Sequence, residues 1–187
     1  VYRSKLNPQV VLRPQDVVVL LRLALLEPGA LSPPYAALAS ELGLTASEIH
    51  AGIERAVAAQ LARKDKGGKP SVARDALMLF LQYGARYAFP ATRGEATRGT
   101  PTGYAAPPLK DKIVQPNEPA PVWPFKSGAV RGMAFYPLYP TVPEAASRNP
   151  ALYELLALFD AVRGGSARER ALALELLNAR VVAGAAA

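Results

Sequence analysis

Cysteine is absent from the 187 residues, which excludes disulfides, thiolate nucleophiles and cysteine-ligated zinc. The chain has one histidine, His50, so a metal site built on several imidazoles cannot form. The phosphate-binding pattern GxxxxGK[ST], the nucleophile elbow GxSxG and the zinc motif HExxH are all missing. Glu95, Asp111, Glu118 and Glu144 fall in stretches that read as loops, with no paired acid at local spacing. No catalytic residue, metal or cofactor is therefore expected, and the chain reads as a binding protein rather than an enzyme. Long apolar runs are missing too. The longest, Val17–Leu26, is interrupted by Arg22 and falls well short of the ~20 residues that cross a bilayer. No charged, apolar and small-residue segments follow one another as in a secretory signal. No membrane partner is expected, and the cytoplasm is the expected location.

Acidic residues are in short supply. Fifteen acids face 22 lysines and arginines, a formal charge of +7 with an isoelectric point near 9.8. Such an excess favours an acidic partner, of which nucleic acid is one. Half of the residues are hydrophobic, enough to fill a core.

What is present divides into three zones: 13–89, 90–148 and 149–183. The first is helix-rich with one basic turn. The second holds eleven of the 18 prolines, which forbids long helices and suggests an extended arm. The third regains helical periodicity.

In the first zone, Gln15–Leu26 follows Pro14 and stops before Pro28-Gly29, so it reads as a helix apolar on nearly every face. Ser32 offers an N-cap, with Pro33 at the first helical position, for a helix ending at Leu42. Gly43 suits a left-handed stop. Thr45-Ala-Ser-Glu48 has capping-box spacing and opens a third helix to about Ala59. Leu61–Asp65 and Pro70–Arg74 flank Lys66-Gly-Gly-Lys69 as a short hairpin. A helix over Asp75–Arg86 follows.

Ala39, Gly43 and Ile49 lie at i, i+4 and i+10. The small residue lets two helices cross closely, the glycine takes a positive φ, and the isoleucine anchors the second helix to the core. From Tyr35 to Ile49 the stretch resembles the helix-turn-helix of bacterial MarR-like winged-helix regulators, and the basic hairpin after it matches a wing. The resemblance covers residues 13–89. It implies a mainly α fold with a small β-hairpin wing, followed here by a proline-rich arm and a C-terminal helical hairpin longer than such regulators carry. It also implies a double-stranded DNA partner, repressor-type regulation and a homodimer.

Candidate DNA-binding residues follow. Ser47, His50 and Arg55 stand outward or flanking on the second helix, while Ile49, Ile53 and Val57 face inward, and Ala51 and Gly52 suggest close approach. Around the wing, Arg63, Lys64, Lys66, Lys69 and Arg74 meet one acid, Asp65, a local charge of +4.

The arm contains Arg93–Thr102 and Ala105–Leu109, near Tyr83, Arg86, Tyr87 and Phe89. Such a mixture suits phosphate, a nucleotide or a single strand, or packs as an ordered loop. Pro121–Phe125 and Phe135–Pro140 read as extended aromatic segments, with Trp123 anchoring the arm to the body or to a second protomer. Asn149-Pro150 caps a helix, Gly164-Gly165 breaks it, and Ser166-Ala-Arg-Glu169 opens another. The apolar surface of Val17–Leu26 exceeds what one small winged helix covers, so that helix or the C-terminal hairpin is expected at a dimer interface. An interaction subunit of antitoxin or defence type, whose winged helix and aromatic arm hold a partner protein, fits the same features.

Overall fold

Helix covers about 51% of the chain, a mixed α/β protein with two small sheets. The computed structural model describes residues 10–183; the expected fraying of 184–187 lies outside them. Among the described residues no helix is long and apolar enough to cross a membrane.

Helix α1 (Pro14–Ala24) starts on its proline, and the Asp16 carboxylate closes its first turn by accepting from the Arg13 N–H at 2.8 Å. From Val17 to Leu25 every residue except Arg22 is buried. Arg22 donates to Glu41 at 2.7 Å, and the same carboxylate accepts from the Asn149 amide at 2.7 Å. Burial raises the Glu41 pKa, but these two donors outweigh it and hold the group below its ordinary value.

Helix α2 (Tyr35–Leu42) ends at Gly43, φ 65°, and α3 (Ala46–Ala58) begins on a complete Thr45–Glu48 capping box. Ser32 does not cap α2. Pro33 is followed by Pro34, which pushes it away from helical backbone, so the helix starts at Tyr35 and the Ser32 hydroxyl donates to the Pro33 carbonyl at 3.2 Å. Strands β1 (Ala62–Lys64) and β2 (Pro70–Val72) pair antiparallel, Ala62 opposite Val72. Then come α4 (Arg74–Leu79), a π-helical turn (Phe80–Gly84) and α5 (Ala85–Ala88).

The proline-rich zone is no extended arm. Strand β3 (Arg93–Pro101) pairs antiparallel with β5 (Val130–Phe135) along most of its length and with β4 (Pro121–Pro124) at its end. Strands β4 and β5 run parallel, so the three close on themselves. Closure this tight needs glycine: a Cβ at Gly99 would stand 2.0 Å from the Trp123 carbonyl oxygen, and one at Gly132 2.0 Å from that of Ala120. The prolines exclude long helices, as expected, and the one α-helix of this zone is the short α6 (Val142–Arg148).

Helix α7 (Pro150–Gly164) is capped by the Asn149 side chain, and α8 (Ala167–Ala183) opens on the Ser166–Glu169 pair. One core cluster runs through all three zones, because α1 packs on α3, α7 and α8. The surplus apolar surface of α1 is thus covered within the chain, and the reason for placing α1 at a dimer interface disappears.

The small sheet is fastened to α7 by a polar knot. Asp160, 2% exposed, accepts from Thr102 Oγ1 at 2.8 Å, from Trp123 Nε1 at 2.5 Å and from Arg163. Burial pushes its carboxyl above the usual range, and these donors oppose that push. The Tyr153 hydroxyl donates to the Pro101 carbonyl at 2.7 Å, and its ring meets Trp123 edge-on. Trp123 thereby anchors the zone to the body of its own chain. Removing one partner of a buried charged pair strands the other, at about 3–5 kcal/mol. Asp160→Ala should lower the stability by that amount, measured by urea unfolding. Asp160→Asn should lower it less, since its amide oxygen still accepts from Trp123 and Thr102.

Candidate nucleic-acid interface

Helix α3 lies on the core through Ile49, Ile53 and Ala56, all buried, with Val57 half-buried. Its outward face carries Ser47, His50 and Glu54. The His50 ring stands edge-on to Tyr35, 5.9 Å between centroids, with Nε2 at 3.5 Å from Glu54.

Arg55 is not part of that face. Its guanidinium binds Asp16 in bidentate fashion, Nε to Oδ2 at 2.8 Å and Nη2 to Oδ1 at 2.7 Å. The Asp16 side chain is fully buried and that of Arg55 18% exposed, and the shared hydrogen bonds raise the Arg55 pKa. Gly52 belongs to the same device: a Cβ there would stand 2.9 Å from Asp16 Oδ1. Its close approach is to α1, so the glycine admits a carboxylate rather than a partner. Asp16 is the residue of this site that local sequence patterns do not reveal. An acid in the first turn of an otherwise apolar helix is the available signal.

Arg74 is likewise structural. It donates to the carbonyls of Ala24, Leu26 and Val181, satisfying the ends of α1 and α8. Burial lowers its pKa. A local charge count cannot show that one of the five cations turns inward to partners 48 to 107 residues away.

Lys64 pairs with Glu54 across from α3. The hydrogen bond lowers the Glu54 pKa and raises that of Lys64. An exposed pair of this kind exchanges partners at little cost, so Lys64 stays available to a phosphate.

The hairpin carries cations without ion-pair partners. Arg63, Lys66 and Lys69 are exposed, and among the described residues none of them forms an ion pair. The one acid, Asp65, is turned onto the backbone and accepts from the Gly67 and Lys69 N–H groups at 2.8 Å each. Gly68 completes the turn at φ 76°. Asp65 therefore shapes the tip and leaves its cations to project from a defined loop. Of the eight residues expected at this surface, Ser47, His50, Lys64, Lys66 and Lys69 stay at or near it; Arg55 and Arg74 turn inward, and Arg63 alternates with Lys64 along β1 and lines a recess with Glu27 and Asp75.

The two groups of arginines and lysines should behave differently. Arg55→Ala leaves Asp16 buried without its cation, and should cost about 3–5 kcal/mol in urea unfolding. Lys66→Ala and Lys69→Ala should each stay within about 0.5 kcal/mol of the parent chain. No protein-family model matches this chain, and no curated protein or solved structure compared with it matches either.

Proposed function

We propose that the protein is a double-stranded DNA-binding transcriptional regulator, a repressor, which uses residues 13–89 as a winged helix-turn-helix. The observation that carries this reading is the cationic hairpin beside the outward face of α3: Lys64 meets Glu54 of that face, and Lys69, on the tip with Lys66, shares a recess with Tyr35, whose ring stands against His50. The order α2, Gly43 turn, α3, β1, β2 supports it. In this reading α3 enters the major groove and the hairpin lies against the backbone or in the minor groove. Ser47 and His50 are the side chains that meet base edges or phosphates there, and direct base readout is modest. The chain acts by binding, not by catalysis.

A homodimer belongs to the proposal, on a different surface from α1. Leu79, Tyr83 and Tyr87 stand exposed at 59%, 64% and 75% along α4, the π-turn and α5. Asp75 lies at the start of this stripe and Arg86 near its end. Two copies packed antiparallel about a twofold axis bring each Asp75 toward the other copy's Arg86, with Leu79 against Tyr83 between them.

Two measurements test this. Charge reversal at Lys66 and Lys69 should flatten the slope of log affinity against log salt by about 1.8, roughly 0.9 for each phosphate contact removed. An unchanged slope removes the hairpin from the interface. Light scattering of the full chain should give twice the monomer mass at micromolar concentration, and Leu79→Asp with Tyr83→Asp should give the monomer mass. If the parent chain is itself monomeric, the stripe is left for a different protein, the antitoxin-like or defence-type interaction subunit.

A further inference from the structure

Strand β3 carries part of the arginine-, threonine- and glycine-rich stretch that α3 and the hairpin leave unused. The register of β3 against β5 sets Arg98 directly opposite Arg131. Direct partners share a face, with Cβ atoms roughly 4.5–5.5 Å apart, and like charges so placed repel. Both arginines are exposed, and among the described residues neither forms an ion pair, although Arg98 Nη1 donates to the Gly128 carbonyl at 3.4 Å. The next pair on that face, Ala96 and Met133, is neutral and supplies no compensation.

The strands cannot spread to relieve the repulsion, because the sheet is closed and its glycines leave no slack. A third cation joins them. Lys126 is exposed on the turn Phe125–Gly128, which is stitched to β3 by the Phe125 N–H donating to the Arg98 carbonyl at 3.2 Å. Two guanidinium groups and an ammonium on a rigid edge match the charge and forked geometry of phosphate oxygens.

Their position relative to α2 is informative. Lys126 and Ser127 share a recess of about 810 Å³ with Glu144, Ser147 and Arg148 of α6, where Glu144 is paired with Arg148. Arg148 donates to the Ser40 carbonyl, near the C-terminal end of α2, at 2.9 Å. The hairpin tip instead shares a recess with Pro33–Tyr35, at the helix's N-terminal end. The two cationic surfaces thus lie toward opposite ends of α2.

We propose that Arg98, Arg131 and Lys126 form a second phosphate site, which takes the sugar-phosphate backbone of duplex DNA beyond the segment gripped by α3 and the hairpin. The proposal rests on the DNA-binding reading above, and the test separates the two. Fluorescence anisotropy of the full chain is measured across a salt series with random-sequence duplexes of about 12 and about 30 base pairs, roughly one and three helical turns, and with single strands of the same lengths. The parent chain is compared with R98Q/R131Q and with K66Q/K69Q.

On the long duplex R98Q/R131Q should flatten the salt slope by about 1.8. On the short duplex it should flatten the slope less than on the long one, whereas K66Q/K69Q should flatten it equally on both. R131Q alone, which leaves the Arg98 bond to the Gly128 carbonyl in place, should melt no lower than the parent, since it relieves a repulsion; a lower melting temperature overturns the uncompensated pair. If only K66Q/K69Q alters the slope, the second site is overturned and the DNA-binding reading stands. Equal loss on both lengths overturns the placement beyond α2. A loss confined to a single-stranded oligonucleotide of the same length overturns the duplex assignment. If the parent binds neither duplex, both readings fall.

Discussion

Val17–Leu25 has almost no polar side to offer to water, so the chain has to surround α1. Seven buried valines and leucines lie on it. At roughly 1.5–3 kcal/mol each, they represent on the order of 10–20 kcal/mol of hydrophobic stabilisation. Net stability of a domain is only about 5–15 kcal/mol, so a fold that left this helix half exposed would not hold. Helices α3, α7 and α8 supply the cover. That requirement makes one core of what composition divides into three zones.

Burying α1 on every side also fixes what its two charged residues do. Arg22 reaches Glu41, whose other donor is the cap residue of α7, so one carboxylate ties α1, α2 and α7 together. Asp16 reaches Arg55 and locks α3 onto α1 at the position where Gly52 leaves room. A buried pair of this sort fixes orientation more than it adds stability. Its consequence for the surface is concrete: the strongest hydrogen-bonding cation of α3 is spent inward, and positive charge at the candidate interface falls to the hairpin.

The parts of this fold legible in the sequence are those decided within a few residues. Gly43, the Thr45–Glu48 and Ser166–Glu169 boxes and the Asn149 cap each depend on a partner no more than four positions away, and each forms where it reads. The hairpin is legible for the same reason, since Asp65 closes its own turn. Partners far apart in the chain are not legible. Arg55 and Asp16 are 39 residues apart, and Trp123 and Asp160 are 37 apart. Proline content correctly excludes long helices from 90–148, but cannot reveal that β3 finds both β4 and β5 and closes. Only the three-dimensional close approach at Gly99 and Gly132 explains those glycines.

The same distinction governs where the charge excess ends up. Arg22, Arg55, Lys64, Arg148, Arg163 and Arg180 each meet a carboxylate that a helix carries. These pairs cancel, so they add nothing to the formal +7. Cations without such partners include Arg63, Lys66 and Lys69 on the hairpin and Arg98, Lys126 and Arg131 on the closed sheet. Both groups sit on turns or short strands, and acids beside them are engaged elsewhere: Asp65 accepts from the backbone of its own turn, and Glu144 pairs with Arg148. The hairpin is held by α1 and α3, and the sheet by the Asp160 knot on α7. Since α1 packs directly on α7, the two cationic surfaces are joined through the same buried helix, and a polyanion that met both would find them in a fixed relation rather than on a flexible arm.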